Sequence, residues 1–255
     1  MKIRFLGTHN CETKDTRLMS LLVDDVLAVD VGGLSADLSL EAQKKIRAVL
    51  LTHHHYDHIR DIPTLAMNLF LNGGSTTIYS TPEVFDVLTK NLMDDVIYPA
   101  FHRLPPDKPT IKFSAVEPNK AQKILDYDVL PVTVKHGVPT VGYQLSAGGK
   151  SLFYTGDTGL GLSQCWEQVS PQLLIIEATG SNKFTEWAAG GWHLTPELLQ
   201  RELEDFRKLK GYLPRVVTVH MSPHLEKDIA AEIAVVSKNL STPISLAYEG
   251  MEIKL

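Results

Sequence analysis

Five of the six residues in His53-His54-His55-Tyr56-Asp57-His58 carry an imidazole or a carboxylate. Imidazole and carboxylate together suit divalent ions such as Zn²⁺, Mn²⁺ or Fe²⁺. In an extended chain, residues two apart share a face. His53 and His55 can therefore reach one ion together, while His54 points elsewhere in a structural role. The chain must then turn to bring Asp57 and His58 towards a second ion. Four ligands do not complete two sites, so more must come from other strand ends. Three residues fit. His136 follows the run Val132–Val134, Asp157 sits in Thr155-Gly156-Asp157-Thr158-Gly159, and His220 follows Val216–Val219. Each alone reads as a capping or turn residue; together with the loop they have the order and number that two ions need. Asp30 ends another apolar run, before Val31-Gly32-Gly33. It can hold the non-ligating nitrogen of a histidine or orient the ligand loop, or serve only as a turn carboxylate.

These residues need a frame of strands. Ile3–Leu6, Ser20–Val23, Val26–Asp30, Ile46–Leu51 and Thr77–Tyr79 read as strands in the first half. Ala36–Lys45, Ile62–Leu71 and Pro82–Asn91 have helical spacing, and Thr52–Arg60 reads as a polar loop. Leu92–Thr110 carries four prolines and no regular period, the mark of a lid, a contact surface or a plain connector. In the second half, Ile111–Val116, Asp128–Val134, Val141–Leu145, Ser151–Tyr154, Leu173–Ile176, Val216–Val219 and a last Ile244–Ala247 read as strands. Pro196–Leu209 and Glu226–Leu240 read as helices, the first capped by Thr195. Two successive strands-then-helices halves predict an α/β chain, 1–255, forming one domain of two packed sheets with helices outside.

Composition sets bounds on function. The 255 residues, 44% hydrophobic and 22% charged, can bury a core without disulfides. A net charge of −5 gives no footprint for a long nucleic acid. No apolar run approaches the roughly 18 residues of a membrane span. Cys11 and Cys165 form no Cys-x-x-Cys pair, and Met1–Gly7 is too short an apolar stretch for a secretory signal. A cytoplasmic location is the expectation.

The ordered set Asp30, His53–His58, His136, Asp157 and His220 resembles the five motifs of the metallo-β-lactamase superfamily over nearly the whole chain. The resemblance implies a four-layer αβ/βα sandwich with two divalent ions, zinc above all and manganese or iron as alternatives. It also implies roles: His53, His55 and His136 on the first ion, Asp57, His58 and His220 on the second, and Asp157 bridging. Phe5-Leu6-Gly7-Thr8, Glu177-Ala178-Thr179 and His193-Leu194-Thr195 look like the ribonuclease Z and phosphodiesterase branch. His193–Leu199 and Val219-His220-Met221-Ser222-Pro223 are similar to its cyclic-nucleotide phosphodiesterases. Two departures speak against tRNA processing. The last motif is His-Met-Ser-Pro-His, and only 20 residues separate His136 from Asp157, where ribonuclease Z inserts a tRNA-gripping arm. His55 stands where the flavodiiron branch carries Glu.

The expected reaction is hydrolysis of a small phosphodiester by metal-activated hydroxide. Two divalent ions, two carboxylates and one hydroxide leave residual positive charge in an acidic protein, which favours a small anionic substrate. Asp57 and His193 are the candidate catalytic residues, His193 as proton donor to the leaving oxygen or else only a residue hydrogen-bonded near Thr195. Trp192, after Gly190-Gly191, can stack on a flat group or anchor packing. His9, His102 and His224 are further histidines, and Lys183 is the one nearby base. The alternatives are a lactone, thioester or β-lactam hydrolase using the same ions, or a non-catalytic ligand-binding module. A homodimer through Leu92–Thr110 is a further expectation.

Overall fold

The computed structural model describes residues 1–190 and 192–255. The first half runs β1 (Lys2–Gly7), β2 (Ser20–Val23), β3 (Leu27–Val31), α1 (Leu40–Gln43), β4 (Ala48–Leu50), α2 (Tyr56–Ile59), α3 (Ile62–Leu71), β5 (Thr76–Ser80), α4 (Pro82–Asn91) and β6 (Ile111–Ala115). Then come β7 (Gln122–Ile124), β8 (Tyr127–Thr133), β9 (Val141–Ala147), β10 (Lys150–Tyr154), α5 (Ser163–Gln168), β11 (Leu173–Glu177), α6 (Thr185–Ala189), α7 (Pro196–Lys210), β12 (Arg215–Val219), α8 (Glu226–Leu240), β13 (Ile244–Leu246) and β14 (Glu252–Lys254).

Two seven-stranded sheets result, ordered β14-β1-β2-β3-β4-β5-β6 and β13-β12-β11-β10-β9-β8-β7. Side chains alternate between the faces of a strand, and the burial pattern sorts them into layers. Phe5, Leu21, Val29 and Leu50 of the first sheet share one core with Val129, Tyr143, Ile175 and Val217 of the second. The outer face of the first sheet, with Ala28, Val49 and Ile78, packs on Leu65 and Leu69 of α3 and Leu88 of α4. The outer face of the second, with Phe153, Leu174 and Ile176, packs on Trp166, Leu199, Phe206 and Ile233 of α5, α7 and α8. Helix, sheet, sheet, helix is the expected four-layer αβ/βα sandwich.

Strands β3 to β6 pair in parallel, as do β10 to β13. Their carboxyl ends therefore emerge together, the usual place for a ligand site in a parallel sheet. Strand β8 runs the same way as β10, because each is antiparallel to β9. Asp30, the His53–His58 segment, His136, Asp157, Glu177 and His220 all lie at such ends.

Three readings of the sequence change. Ala36–Lys45 is helical only over Leu40–Gln43, where the Ser39 side chain accepts from the Ala42 N–H and starts the turn. Thr52–Arg60 is not wholly loop, since α2 supplies the turn required before Asp57 and His58. Ile244–Ala247 is not the last strand. β14 follows it and pairs with β1, closing the chain's end onto the first sheet. The helix α7 starts as expected, its Thr195 cap accepting from the Leu198 N–H, and stops at Gly211 in the left-handed region. Leu92–Thr110 forms no helix or strand. No described helix is long and apolar enough to cross a membrane.

Candidate metal centre

The seven side chains chosen from the sequence converge into two groups. His53, His55, His136 and Asp157 form one; Asp57, His58, Asp157 and His220 form the other. Within each group the ligand-type atoms all lie within 4.8 Å of one another, and Asp157 belongs to both. His55 Nδ1 lies 3.2 Å from His136 Nε2. His53 Nε2 and His136 Nε2 lie 3.8 and 3.9 Å from Asp157 Oδ2. On the other side, His220 Nε2 is 3.0 Å from Asp57 Oδ2 and 3.4 Å from Asp157 Oδ2. His58 Nε2 is 3.2 Å from Asp157 Oδ1. His54 belongs to neither group, and its ring centre is 6.0 Å from that of His55.

Hydrogen bonds behind the rings decide which nitrogen faces inward. Asp30 is fully buried and accepts from the Thr52 N–H at 2.9 Å, the Thr52 hydroxyl at 2.9 Å and the Tyr154 hydroxyl at 3.0 Å. It also takes the His58 Nδ1–H at 2.7 Å, which leaves His58 Nε2 free. Thr52 has one proton, spent on Asp30, so at 2.9 Å His53 Nδ1 must donate to Thr52 and keep its Nε2 lone pair. His136 Nδ1 lies 2.7 Å from the Trp192 carbonyl, which can only accept. Thr179 donates to Glu177, so His220 Nδ1, 2.8 Å away, donates to Thr179. Four imidazoles thus turn their Nε2 atoms to the same space. Histidines that bind metal characteristically hold the other nitrogen in this way.

The ionisation of the site follows. Burial, reinforced by neighbouring imidazoles, holds His53 well below the ordinary histidine range. Burial also lowers His55 and His136. These three are neutral ligands in waiting. Burial alone would raise Asp157, but His220, His58 and His53 hold it well below the usual carboxylate range. Burial opposes the charge of Asp57 too, and His58 and His220 outweigh it. His58 is depressed by burial yet held well above its ordinary value by Asp157, Asp30 and Asp57. His53 Nε2, His58 Nε2 and Asp157 Oδ1 are buried without a hydrogen-bond partner. Such orphaned groups are costly unless something completes them. One or more divalent cations fit this donor set.

Backbone geometry supports the placement. Asp30 and His220 adopt φ of 51° and 64°, in the left-handed region that non-glycine residues rarely enter. Gly156, beside Asp157, has φ of 64°, and a Cβ there would meet Thr52 at 2.8 Å. Gly137, beside His136, lets the Trp192 ring lie on its backbone; a Cβ would stand 1.6 Å from that ring. Trp192 is therefore a packing anchor as well as the acceptor that orients His136. Gly191, which precedes Trp192, lies outside the described residues.

His193 sits at the rim. Its Nδ1 lies 2.9 Å from Glu177 Oε1, and its ring stacks on His220 at 5.4 Å. Burial disfavours its charge, but Glu177 raises its pKa to about 9. Glu177 is fully buried and also accepts from the N–H groups of Thr158 at 2.7 Å and Leu194 at 3.0 Å. It joins Asp157, His193 and His220 in a third potential ligand group. Glu177 and Thr179 belong to a sequence motif but gain a role only where the fold sets them beside His193 and His220. The available signal was a carboxylate ending the wholly apolar run Leu173–Ile176, the same pattern that singled out Asp30.

The other flagged residues disperse. His9 is buried against Glu249 at 2.8 Å, His102 lies beside Phe113, and exposed Lys183 pairs with Asp228 at 2.7 Å. His224 lines a second cleft beside the first. The cleft at the two groups, about 580 Å³, is bordered by Asn10, Cys11, Tyr56, Arg60 and His193; residues 92–110 do not line it.

A family model described as a beta-lactamase superfamily domain matches residues 28–221. Over 108 residues, 41% of this chain and 28% of the relative, the sequence is 32% identical to 3',5'-cyclic-nucleotide phosphodiesterase 1 of Saccharomyces cerevisiae. Over 151 residues, 56% of this chain and 49% of the relative, it is 30% identical to ribonuclease Z of Methanopyrus kandleri. The matched stretches thus cover at most about half of these curated relatives. Among solved structures, unliganded yeast PDE1 has a TM-score of 0.84 at 19% identity, covering 100% of this chain and 99% of that one. At that identity the likeness is one of fold.

Proposed function

The chain belongs to the beta-lactamase superfamily, and from that premise we propose that it is a dinuclear metal-dependent phosphodiesterase acting on a small phosphodiester. One observation carries the reading: Asp157 is shared by two ligand groups, and His193, held from behind by Glu177, faces the same cleft. His53, His55 and His136 would hold one divalent ion, Asp57, His58 and His220 the other, and Asp157 both, with zinc the first candidate. Bound there, such ions would supply Lewis acidity towards a phosphoryl oxygen and would lower the pKa of water.

The chain's own groups do the rest. Asp57, kept ionised and partly exposed to the cleft, accepts the proton of the attacking water. His193, its Nδ1 fixed by Glu177, presents Nε2 to the leaving oxygen and carries a proton near neutral pH. A phosphodiester is favoured because the two relatives bear the names of a cyclic-nucleotide phosphodiesterase and a ribonuclease, which share that bond. A small substrate is favoured because the net charge is −5 and Arg60, the one Lys or Arg among the described residues lining the cleft, is engaged by Glu12 and Asp61 at 2.6 and 3.0 Å.

The test is elemental analysis of the purified protein, with turnover of bis(p-nitrophenyl) phosphate after loading with Zn²⁺ or Mn²⁺. About two ions per chain are expected, with turnover lost in Asp57→Ala. Two ions without turnover would move the reading to lactone or thioester substrates. No bound metal after loading would remove it altogether.

A further inference from the structure

A separate cavity of about 270 Å³ shares no lining residue with the cleft at the candidate metal centre. Thr133, Val134 and Lys135 at the end of β8 form one wall, and Gly161, Leu162 and Cys165 form the other. Both walls run on into candidate ligands: Lys135 precedes His136, and Gly161 follows the Asp157 loop. Neighbours in an extended chain face opposite ways. With His136 turned to its ligand group, Lys135 turns away from it and lines the cavity.

Internal hydrogen bonds hold both walls. The Lys135 carbonyl accepts from the Gly159 N–H at 2.6 Å and the Thr158 hydroxyl at 3.3 Å, which ties one wall to the other. Glu202, buried on α7, accepts from the N–H groups of Gly161 at 2.6 Å and Leu162 at 3.3 Å and from the Trp166 indole at 2.9 Å. Gly161 has φ of 104°, in the region that favours glycine. The Lys135 side chain lies across it: a Cβ at Gly161 would stand 3.6 Å from Lys135 Cδ and 3.9 Å from Nζ. The ammonium is thus laid along the cavity wall.

The lining selects by charge. Among the described residues that line the cavity, none is Asp or Glu, and Lys135 is the one Lys or Arg. Asn119, Gln164 and Gln168 add neutral carboxamides, and the buried Val134, Leu162 and Cys165 give an apolar floor. Burial and the Glu202 charge push the Cys165 thiol well above the ordinary cysteine range, so the floor stays neutral. One cation, no anion and an apolar floor suit a single carboxylate on a short stem. An amino acid would leave its ammonium without a counter-charge, and a ligand with two anionic groups would leave one unpaired.

We propose that this cavity is a binding site for a short-chain monocarboxylate, its carboxylate on Lys135 and its stem on Leu162 and Cys165. The proposal stands apart from the phosphodiesterase reading, since no lining residue belongs to the candidate metal centre.

The probe is butyrate, followed through the backbone amide NMR signals of the zinc-loaded protein. Saturable shifts at Gly161, Leu162 and Gln164 are expected, and butyramide, with the same stem and no charge, should produce much smaller ones. Lys135→Met keeps the length of the side chain and removes its charge. It should weaken butyrate about tenfold, the scale of a charge-assisted hydrogen bond, and Lys135→Arg should recover most of the loss. A thermal melt and metal content equal to the parent's show that each variant is folded. Carboxylates also bind divalent ions, so the signals of Tyr56 and Arg60 report the metal cleft in the same spectra. Shifts at Gly161 and Leu162 that depend on Lys135 and persist in the metal-free protein establish the site. Shifts confined to Tyr56 and Arg60, no shift at Gly161 and Leu162 at millimolar butyrate, or equal affinity in parent and Lys135→Met would each overturn it.

Discussion

Two buried carboxylates, one in each sheet, organise the candidate site by the same device. Asp30 ends β3 and Glu177 ends β11, and neither is exposed to solvent. Each accepts a backbone N–H, a threonine hydroxyl and a histidine Nδ1. Asp30 orients His58 directly and His53 through Thr52. Glu177 orients His193 directly and His220 through Thr179. The difference lies in where the directly held ring points. His58 is wholly buried and aims at Asp157, whereas His193 is 18% exposed and borders the cleft. On the proposed reading, the same anchor serves ion binding in one sheet and proton donation in the other. What separates the roles is depth below the surface.

The strongest way to break this comparison is to remove the deeper anchor. Asp30→Ala leaves His58, Thr52 and Tyr154 without their acceptor in a dry interior. Losing one member of such a buried set costs about 3–5 kcal/mol, and losing the support of a metal histidine weakens metal binding about 10–100-fold. Denaturant unfolding of the metal-free protein and metal retention after dialysis measure the two terms. A variant that keeps both its stability and its metal would show that Asp30 anchors nothing.

The second prediction separates the anchors. Glu177→Gln should retain its metal, because most of the ligands do not depend on Glu177, while turnover falls about 10²–10⁴-fold, the share general acid catalysis usually supplies. The pH profile gives the sign. His193 is raised to about 9, so its protonated form persists through neutral pH and activity declines as pH rises through its pKa. Bound cations bring that limb lower in the loaded enzyme. Without the Glu177 charge it should move lower still, below the parent's limb measured alongside. Loss of metal together with activity would instead make Glu177 part of the ion site, as its membership in the third ligand group allows.

The two sheets also differ in how much the sequence disclosed. The first contributes four of the candidate ligands from one six-residue segment, so spacing alone exposes the chemistry. The second contributes His136, Asp157, Glu177, His193 and His220 one at a time, brought together by the common direction of β8, β10, β11 and β12 and by the loop before α7. Their assignment needed the resemblance as well as the strand ends. Glu177 stayed without a role because its partners, Thr158, Thr179 and His193, come from three different loops. Strand β14 is not legible because Glu252-Ile253-Lys254 alternates over three residues only, too short for a pattern, and pairing with β1 makes it a strand. Trp192 could not be placed from sequence, since its seat is the bare backbone of Gly137, 55 residues earlier.

A third carboxylate repeats the device away from the ligand groups and serves as the control. Glu249 Oε1 accepts from the Arg17 N–H at 2.9 Å, the Thr8 hydroxyl at 3.2 Å and His9 Nδ1 at 2.8 Å. It ties the loop after β1 to the segment between β13 and β14. Burial alone would raise its pKa, but the His9 and Arg17 hydrogen bonds outweigh burial and hold it below the ordinary glutamate value. The sign follows from linkage: a carboxyl depressed in the folded state adds stability above its unfolded pKa and loses it as pH falls through the folded one. Glu249→Gln should therefore cost about 1–2 kcal/mol at pH 7, with metal content and turnover per bound ion unchanged. The gap between parent and variant in metal-free unfolding should narrow as pH drops below the glutamate range. A gap that stays constant with pH would mean that Glu249 holds this loop by its shape and not by its charge.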